Sequence, residues 1–155
     1  LLDADGMLPA IRRLLIIACE DIGLAYPQAI SIVKVCCDIA LQTGLPGARI
    51  PLADAVILLA TAPKSNSGEL AINAAFDRVQ TGGYGDVPDY LKDKANPAQK
   101  GLSTEERYKY PHDYPNHWVE QRYLPVEIRC DIYYKYGENK IEQAAKAYWD
   151  RIKKI

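Results

Sequence analysis

The segment Lys64-Ser65-Asn66-Ser67 sets a cation, hydroxyls and an amide just before a run with helical apolar spacing. A lysine beside the free backbone N–H groups of a helix N-terminus suits an anion such as a phosphate or a DNA backbone. Two other readings stand beside that one. Ser65 or Asn66 caps the helix while Lys64 projects into water, or Lys64 forms an ion pair between subunits. Glu20 and Asp21 form a second unusual pair, because carboxylates in the last turn of a helix oppose its dipole at roughly 0.3–1 kcal/mol each. They call for a partner from another helix, such as Lys64, or from another subunit, unless Asp21 turns onto backbone N–H groups of the Gly23 to Tyr26 corner. The block from Tyr110 to Trp118 holds both histidines, His112 and His117. His112 and Asp113 imitate an acid–base pair, but neighbours in an extended segment point apart. The prolines of the block prevent the two histidines from sharing a helix face as metal ligands, so capping and ring packing are its plainer role.

Phosphate-loop chemistry is excluded by the sequence. No G-x-x-x-x-G-K-[ST] exists, and Gly82-Gly83-Tyr84-Gly85 has neither a preceding strand pattern nor a following Lys-Ser pair. No catalytic, cofactor-binding or metal-ligating residue is assigned, and the chain is not expected to be an enzyme by itself. The four cysteines, Cys19, Cys36, Cys37 and Cys130, lack C-x-x-C spacing and read as reduced core thiols in a reducing compartment. The candidate interface or anion contacts are therefore Lys64, Ser65, Asn66, Glu20, Asp21, Tyr110, His112 and Asp113.

These residues must be positioned by a single domain over residues 1 to 155, since 155 residues with 48% hydrophobic side chains can bury a sizeable core. Nineteen basic against twenty acidic residues give a net charge of -1, too balanced for the long-range field of a strong nucleic-acid binder. The apolar runs Leu14 to Cys19 and Ala55 to Ala60 are too short to span a bilayer, so no membrane partner and a cytoplasmic location are expected. Opening on Leu1 and Leu2 without a Met, the sequence reads as a piece of a longer polypeptide.

Residues 1 to 83 carry a helical period. Leu8, Ile11, Leu14, Leu15, Ala18, Cys19 and Ile22 define a first helix that stops at Gly23. Pro27 opens a second through Val33, Cys36 and Ala40 to Gly44, and Pro51 opens a third that ends before Pro63. A fourth begins near Asn66, which with Glu69 has capping-box spacing, and ends near Gly82. Residues 84 to 137 are a Pro/Tyr-rich strap whose X-Pro pairs, among them Asn96-Pro97, forbid a long helix, with short helical turns expected near Trp118 to Arg122. Residues 138 to 155 form a terminal helix that opens at Asn139 with Glu142 three residues on. Its Lys146, Arg151, Lys153 and Lys154 make a solvated, C-terminal charge bias.

Several blocks carry a resemblance: Arg12-Arg13-Leu14-Leu15, Glu20-Asp21-Ile22-Gly23-Leu24-Ala25, Pro27-Gln28-Ala29, Ile50-Pro51-Leu52, Ala62-Pro63-Lys64-Ser65-Asn66, Tyr108-Lys109-Tyr110-Pro111-His112-Asp113 and Gln121-Arg122-Tyr123-Leu124-Pro125. In this order they resemble the C-terminal region of the replication-associated recombination protein A family, bacterial AAA+ ATPases related to the eukaryotic Werner-helicase-interacting protein. The set covers nearly the whole chain. One departure is the segment Ala95 to Glu106, which stands where the family usually carries a longer Lys- and Gly-rich stretch.

The resemblance implies an all-α fold, a helical array or bundle similar to the clamp-loader collar, that holds ATPase modules together as a homotetramer. The AAA+ ATPase and lid domains would lie upstream, outside this sequence. ATP and Mg are expected there, and no cofactor here. The parent would be a DNA-dependent ATPase of replication, recombination and repair at stalled forks, and its partners would be copies of itself and DNA. The alternative is a DNA-contacting module acting through Lys64 and the Tyr/Lys-rich strap.

Overall fold

The computed structural model describes residues 6–92, 102–103 and 107–153. The Leu1-Leu2 opening, Asn96-Pro97, most of the Ala95 to Glu106 segment and Lys154 lie outside the described residues. Helices are α1 (Met7–Ile17), α2 (Gln28–Thr43), α3 (Arg49–Thr61), α4 (Ser67–Gln80) and α5 (Lys140–Lys153), and no strand occurs among the described residues. The fold is all-α, as the sequence predicts.

The chain groups into two compact units. One comprises residues 1–73 with 134–149, the other residues 74–133 with 150–155. In the first, Ile11, Leu14, Ala18 and Ile22 meet Ala29, Val33, Cys37 and Ala40 of α2 and Leu52, Ala55 and Leu59 of α3 in one apolar core. The i, i+4, i+8 and i+11 spacing of the α2 set is one stripe of a 3.6-residue helix. Small residues dominate where helices cross, with Ala18, Ala29, Ala40, Ala48 and Ala55 all fully buried, so backbones approach closely.

The first helix does not continue as a simple α-helix to Gly23. Residues Ala18–Ile22 widen into a π-helical turn. The turn keeps Ala18 and Ile22 buried and leaves the Asp21 carbonyl to accept the Ser65 N–H at 2.8 Å. Gly23 then adopts φ 44°, and a Cβ there would lie 2.8 Å from the Ser65 carbonyl oxygen, so this corner requires glycine.

Of the four cysteines read as core thiols, only Cys37 is buried; Cys36 is partly covered, and Cys19 and Cys130 are exposed. Burial, with Cys36 and Asp38 adding to it, pushes the Cys37 thiol above its ordinary range. All four are free.

The second unit is built on the proline-rich strap, and its short helical turns fall elsewhere than expected. They lie at Asp89–Leu91, Pro111–Asp113, Pro115–His117 and Val126–Ile128, while Trp118 to Arg122 forms no helical turn. Prolines explain the difference: Pro111 and Pro115 sit at first-turn positions, where a fixed φ and a missing N–H cost nothing. The unit is held by polar clasps. The Arg78 guanidinium donates to the Gly82 carbonyl at 2.6 Å, the Gly83 carbonyl at 3.2 Å and Asp131 at 3.2 Å, closing the end of α4. The Gln121 amide both accepts the Lys109 N–H and donates to its carbonyl, at 3.1 and 2.8 Å, as a sheet neighbour would.

Candidate functional site

Three features stand out: a buried carboxylate, a lysine folded onto a helix end, and apolar helix faces left open to solvent.

Glu142 is only 2% exposed, and both of its carboxylate oxygens are saturated by donors. Oε1 accepts from the Ser67 hydroxyl at 2.5 Å, the Tyr134 hydroxyl at 2.7 Å and the Gly137 N–H at 3.1 Å. Oε2 accepts from the Ser65 hydroxyl at 2.6 Å and the Asn139 amide. The Glu142 N–H donates to Asn139 Oδ1 at 3.0 Å, so the Asn139–Glu142 cap expected from spacing forms, and its carboxylate reaches on to the start of α4. Burial alone would raise the Glu142 pKa. The hydrogen bonds from Ser65, Ser67, Tyr134 and Asn139 outweigh it and lower the pKa from 4.5 to about 2. Burial first, and then the bond to Glu142, pushes Tyr134 up to about 12. A carboxylate so fully occupied has no lone pair left for a substrate proton; its work is to tie α5 to the 65–67 segment.

The neighbouring Lys64 points the other way. Its ammonium donates to the carbonyls of Leu59 at 2.9 Å and Ala62 at 2.6 Å, which closes the C-terminus of α3. It does not pair with Glu20 or Asp21. Both of those carboxylates are exposed, and among the described residues neither is in an ion pair. Asp21 contributes through its main-chain carbonyl instead. Ser65 accepts the Ser67 N–H at 3.3 Å, and the Asn66–Glu69 side-chain box does not close; Asn66 supplies the carbonyl that receives the Leu70 N–H at 3.0 Å.

Tyr110, His112 and Asp113 lie together on the exposed strap. The His112 ring sits 5.0 Å from Tyr110 and 4.8 Å from His117, and among the described residues no hydrogen bond joins it to Asp113. Asn116 and His117 hold left-handed backbone, with φ of 57° and 53°. Ring packing joins Tyr110, His112 and His117 in this block.

Apolar side chains are exposed well beyond the scattered residues of an ordinary surface. On α2, Ile32, Val35 and Ile39 are 40%, 55% and 44% exposed and share a second stripe, distinct from the buried one. On α3, Ile50 and Ile57 are 72% and 61% exposed. A groove of about 900 Å³ runs between α1 and α3, and a smaller one of about 520 Å³ lies beside Arg12, Glu20 and Glu69.

Residues 2–153 match the family model described as MgsA AAA+ ATPase C terminal. This chain belongs to that family. It is 46% identical to the replication-associated recombination protein A of Bacillus subtilis over 155 residues, covering 99% of this chain and 37% of that protein. The namesake of Haemophilus influenzae is 32% identical over 92% of this chain and 32% of its own length. That of Escherichia coli K12 is 33% identical over 79% and 28%. The chain thus spans about a third of the length of these curated relatives.

In this AAA+ C-terminal domain two of the blocks that carry the resemblance meet in space. Glu20 to Ala25 and Ala62 to Asn66 join through the Asp21–Ser65 bond and the close approach at Gly23. Sequence reasoning placed Glu142 at a helix start but missed its burial. It also missed Tyr134 and Ser67 as its donors, because the spacing of Asn139 and Glu142 reveals a cap and not a partner 75 residues away. Arg13 and Arg49 border the large groove; Arg13 stood out only within the Arg12-Arg13-Leu14-Leu15 block, and Arg49 not at all.

Proposed function

We propose that this domain assembles copies of an AAA+ ATPase, as a homotetramer, and makes or breaks no bond itself. The observation that carries the reading is α2. Its stripe of Ala29, Val33, Cys37 and Ala40 is buried within the chain, while Ile32, Val35 and Ile39 form a second apolar stripe open to water. A helix apolar on two sides is one that packs on two sides. Permanent interfaces of this kind bury roughly 2,000 Å² or more. The ATPase modules, with their ATP and Mg, would belong to the remaining two-thirds of the longer protein. A role for the longer protein in replication-associated recombination is supported by the names of the relatives, and action on DNA is part of this proposal. Sedimentation of the chain across concentrations tests this: a species heavier than 17.3 kDa that dissociates on dilution supports it, and an invariant 17.3 kDa particle removes it.

A second reading is favoured by one observation, the exposed Tyr110–His112–His117 ring row with its left-handed backbone at Asn116 and His117. Such rings can stack unpaired bases, with Lys109 and Arg107 just before them in sequence. Lys64, whose ammonium donates to the Leu59 and Ala62 carbonyls, is left out of this reading. Fluorescence anisotropy with a single-stranded oligonucleotide at low salt, lost on Tyr110→Ala with His112→Ala, would support it; undetectable binding ends it.

A further inference from the structure

The α1–α3 groove differs in character from the apolar stripe of α2. Its floor is Pro9, Ala10, Ile16, Leu52, Ala53 and Val56, and its cationic lining is Arg12, Arg13 and Arg49. Among the described residues no aspartate or glutamate lines it. All three arginines are exposed, and among the described residues none forms an ion pair; Arg49 donates only to the Pro46 carbonyl, at 3.2 Å. Guanidinium groups beside an apolar floor are costly to leave without anions once that floor is covered, so the occupant must supply both carboxylates and apolar side chains.

We propose that this groove docks an acidic, amphipathic segment of a partner protein, with apolar side chains on the Leu52–Val56 floor and carboxylates on Arg13 and Arg49. The volume of about 900 Å³ accepts several side chains at once. The 11 residues of α1 extend for about 16 Å, the length of roughly three turns of a bound helix. Arg12 is shared with the smaller depression that also contains Glu20 and Glu69, which leaves Arg13 and Arg49 as the specificity-determining pair. This inference is independent of self-association through α2. A second copy seated in the groove would bring its own measurable signature.

The probe is a fluorescein-labelled synthetic peptide of about twelve residues, with Leu at i, i+3, i+4 and i+7 and Glu between them. Its binding to the full chain is read by anisotropy. The acidic peptide is expected to bind, Arg13→Glu with Arg49→Glu is expected to weaken it about tenfold or more, and an otherwise identical Lys peptide is expected to bind that variant better than the wild type. The reciprocal gain shows that the variant is folded. Equal binding of the Lys peptide to the wild type, or no loss on charge reversal, overturns the proposal. So does displacement of the peptide by a single-stranded oligonucleotide, which would assign the arginines to phosphates. A change in the particle mass of the reversed variant would assign the groove to a second copy and overturn it as well.

Discussion

Ser65 and Glu142 stand 77 residues apart in the chain and are joined by a 2.6 Å hydrogen bond. Through it the start of the last helix is fixed to the turn that follows α3, and the same turn is fixed to the end of the first helical stretch by the Ser65 N–H on the Asp21 carbonyl. One residue thus ties three distant segments together with its hydroxyl and its amide.

Replacing Glu142 by Gln removes the charge that its donors converge on and turns an NH2 group toward at least one of them. Breaking a buried, fully hydrogen-bonded carboxylate costs about 2–4 kcal/mol. Urea denaturation of Glu142→Gln should show that loss, and Ser67→Ala a smaller one of about 1 kcal/mol. A Glu142→Gln chain as stable as the wild type would contradict the tie.

The pH dependence has a defined sign. Glu142 titrates at about 2 in the folded chain against 4.5 ordinarily, so its contribution is complete above pH 4.5 and is lost as pH falls toward 2. The full span corresponds to about 3 kcal/mol. Tyr134 runs the opposite way: raised from 10.0 to about 12, it contributes fully below pH 10 and loses that contribution as pH rises toward 12. Stability measured across both windows should fall at each end. Glu142→Gln should flatten the acid limb and Tyr134→Phe the alkaline limb.

Gly23→Ala should cost about 2 kcal/mol or more, because the new Cβ meets the Ser65 carbonyl at 2.8 Å on a residue with φ 44°. Hydrogen exchange at the Ser65 amide reports it directly: protection should drop there before it drops in the core of α2.

Lys64→Met keeps the aliphatic stem and removes the ammonium from the Leu59 and Ala62 carbonyls. The expected loss is about 1 kcal/mol, seen as a lower thermal midpoint, with oligonucleotide binding unchanged. A variant of normal stability that had lost oligonucleotide binding would restore Lys64 as an anion contact.

Much of the architecture was legible in residues that punctuate the chain. Gly23, Pro27, Gly44, Pro63 and Gly82 mark helix limits because each removes a donor or supplies a backbone angle other residues resist, and these constraints are local. The Asn139–Glu142 cap was legible for the same reason. What was not legible is long-range. The π-helical widening at Ala18–Ile22 answers to the Ser65 amide, a partner invisible in the local pattern. The direction of Lys64 depends on how the chain turns at Pro63, which decides between water, an acid and the carbonyls of α3. The strap's turns were misplaced because its ring-rich composition signals order without signalling where a chain bends. Apolar stripes on α2 share one period whether they face the core or the solvent, so Val33 and Val35 look alike in sequence and differ only in the fold.

The central claim is that the second stripe of α2 holds copies of this domain together. Light scattering on the wild type and on Val35→Asp with Ile39→Asp, at concentrations on the order of tens of micromolar, tests it most directly. The account predicts a wild-type mass that is a multiple of 17.3 kDa, near fourfold, and a helical variant that runs at 17.3 kDa. Equal masses for the two, whether both single or both assembled, would contradict it.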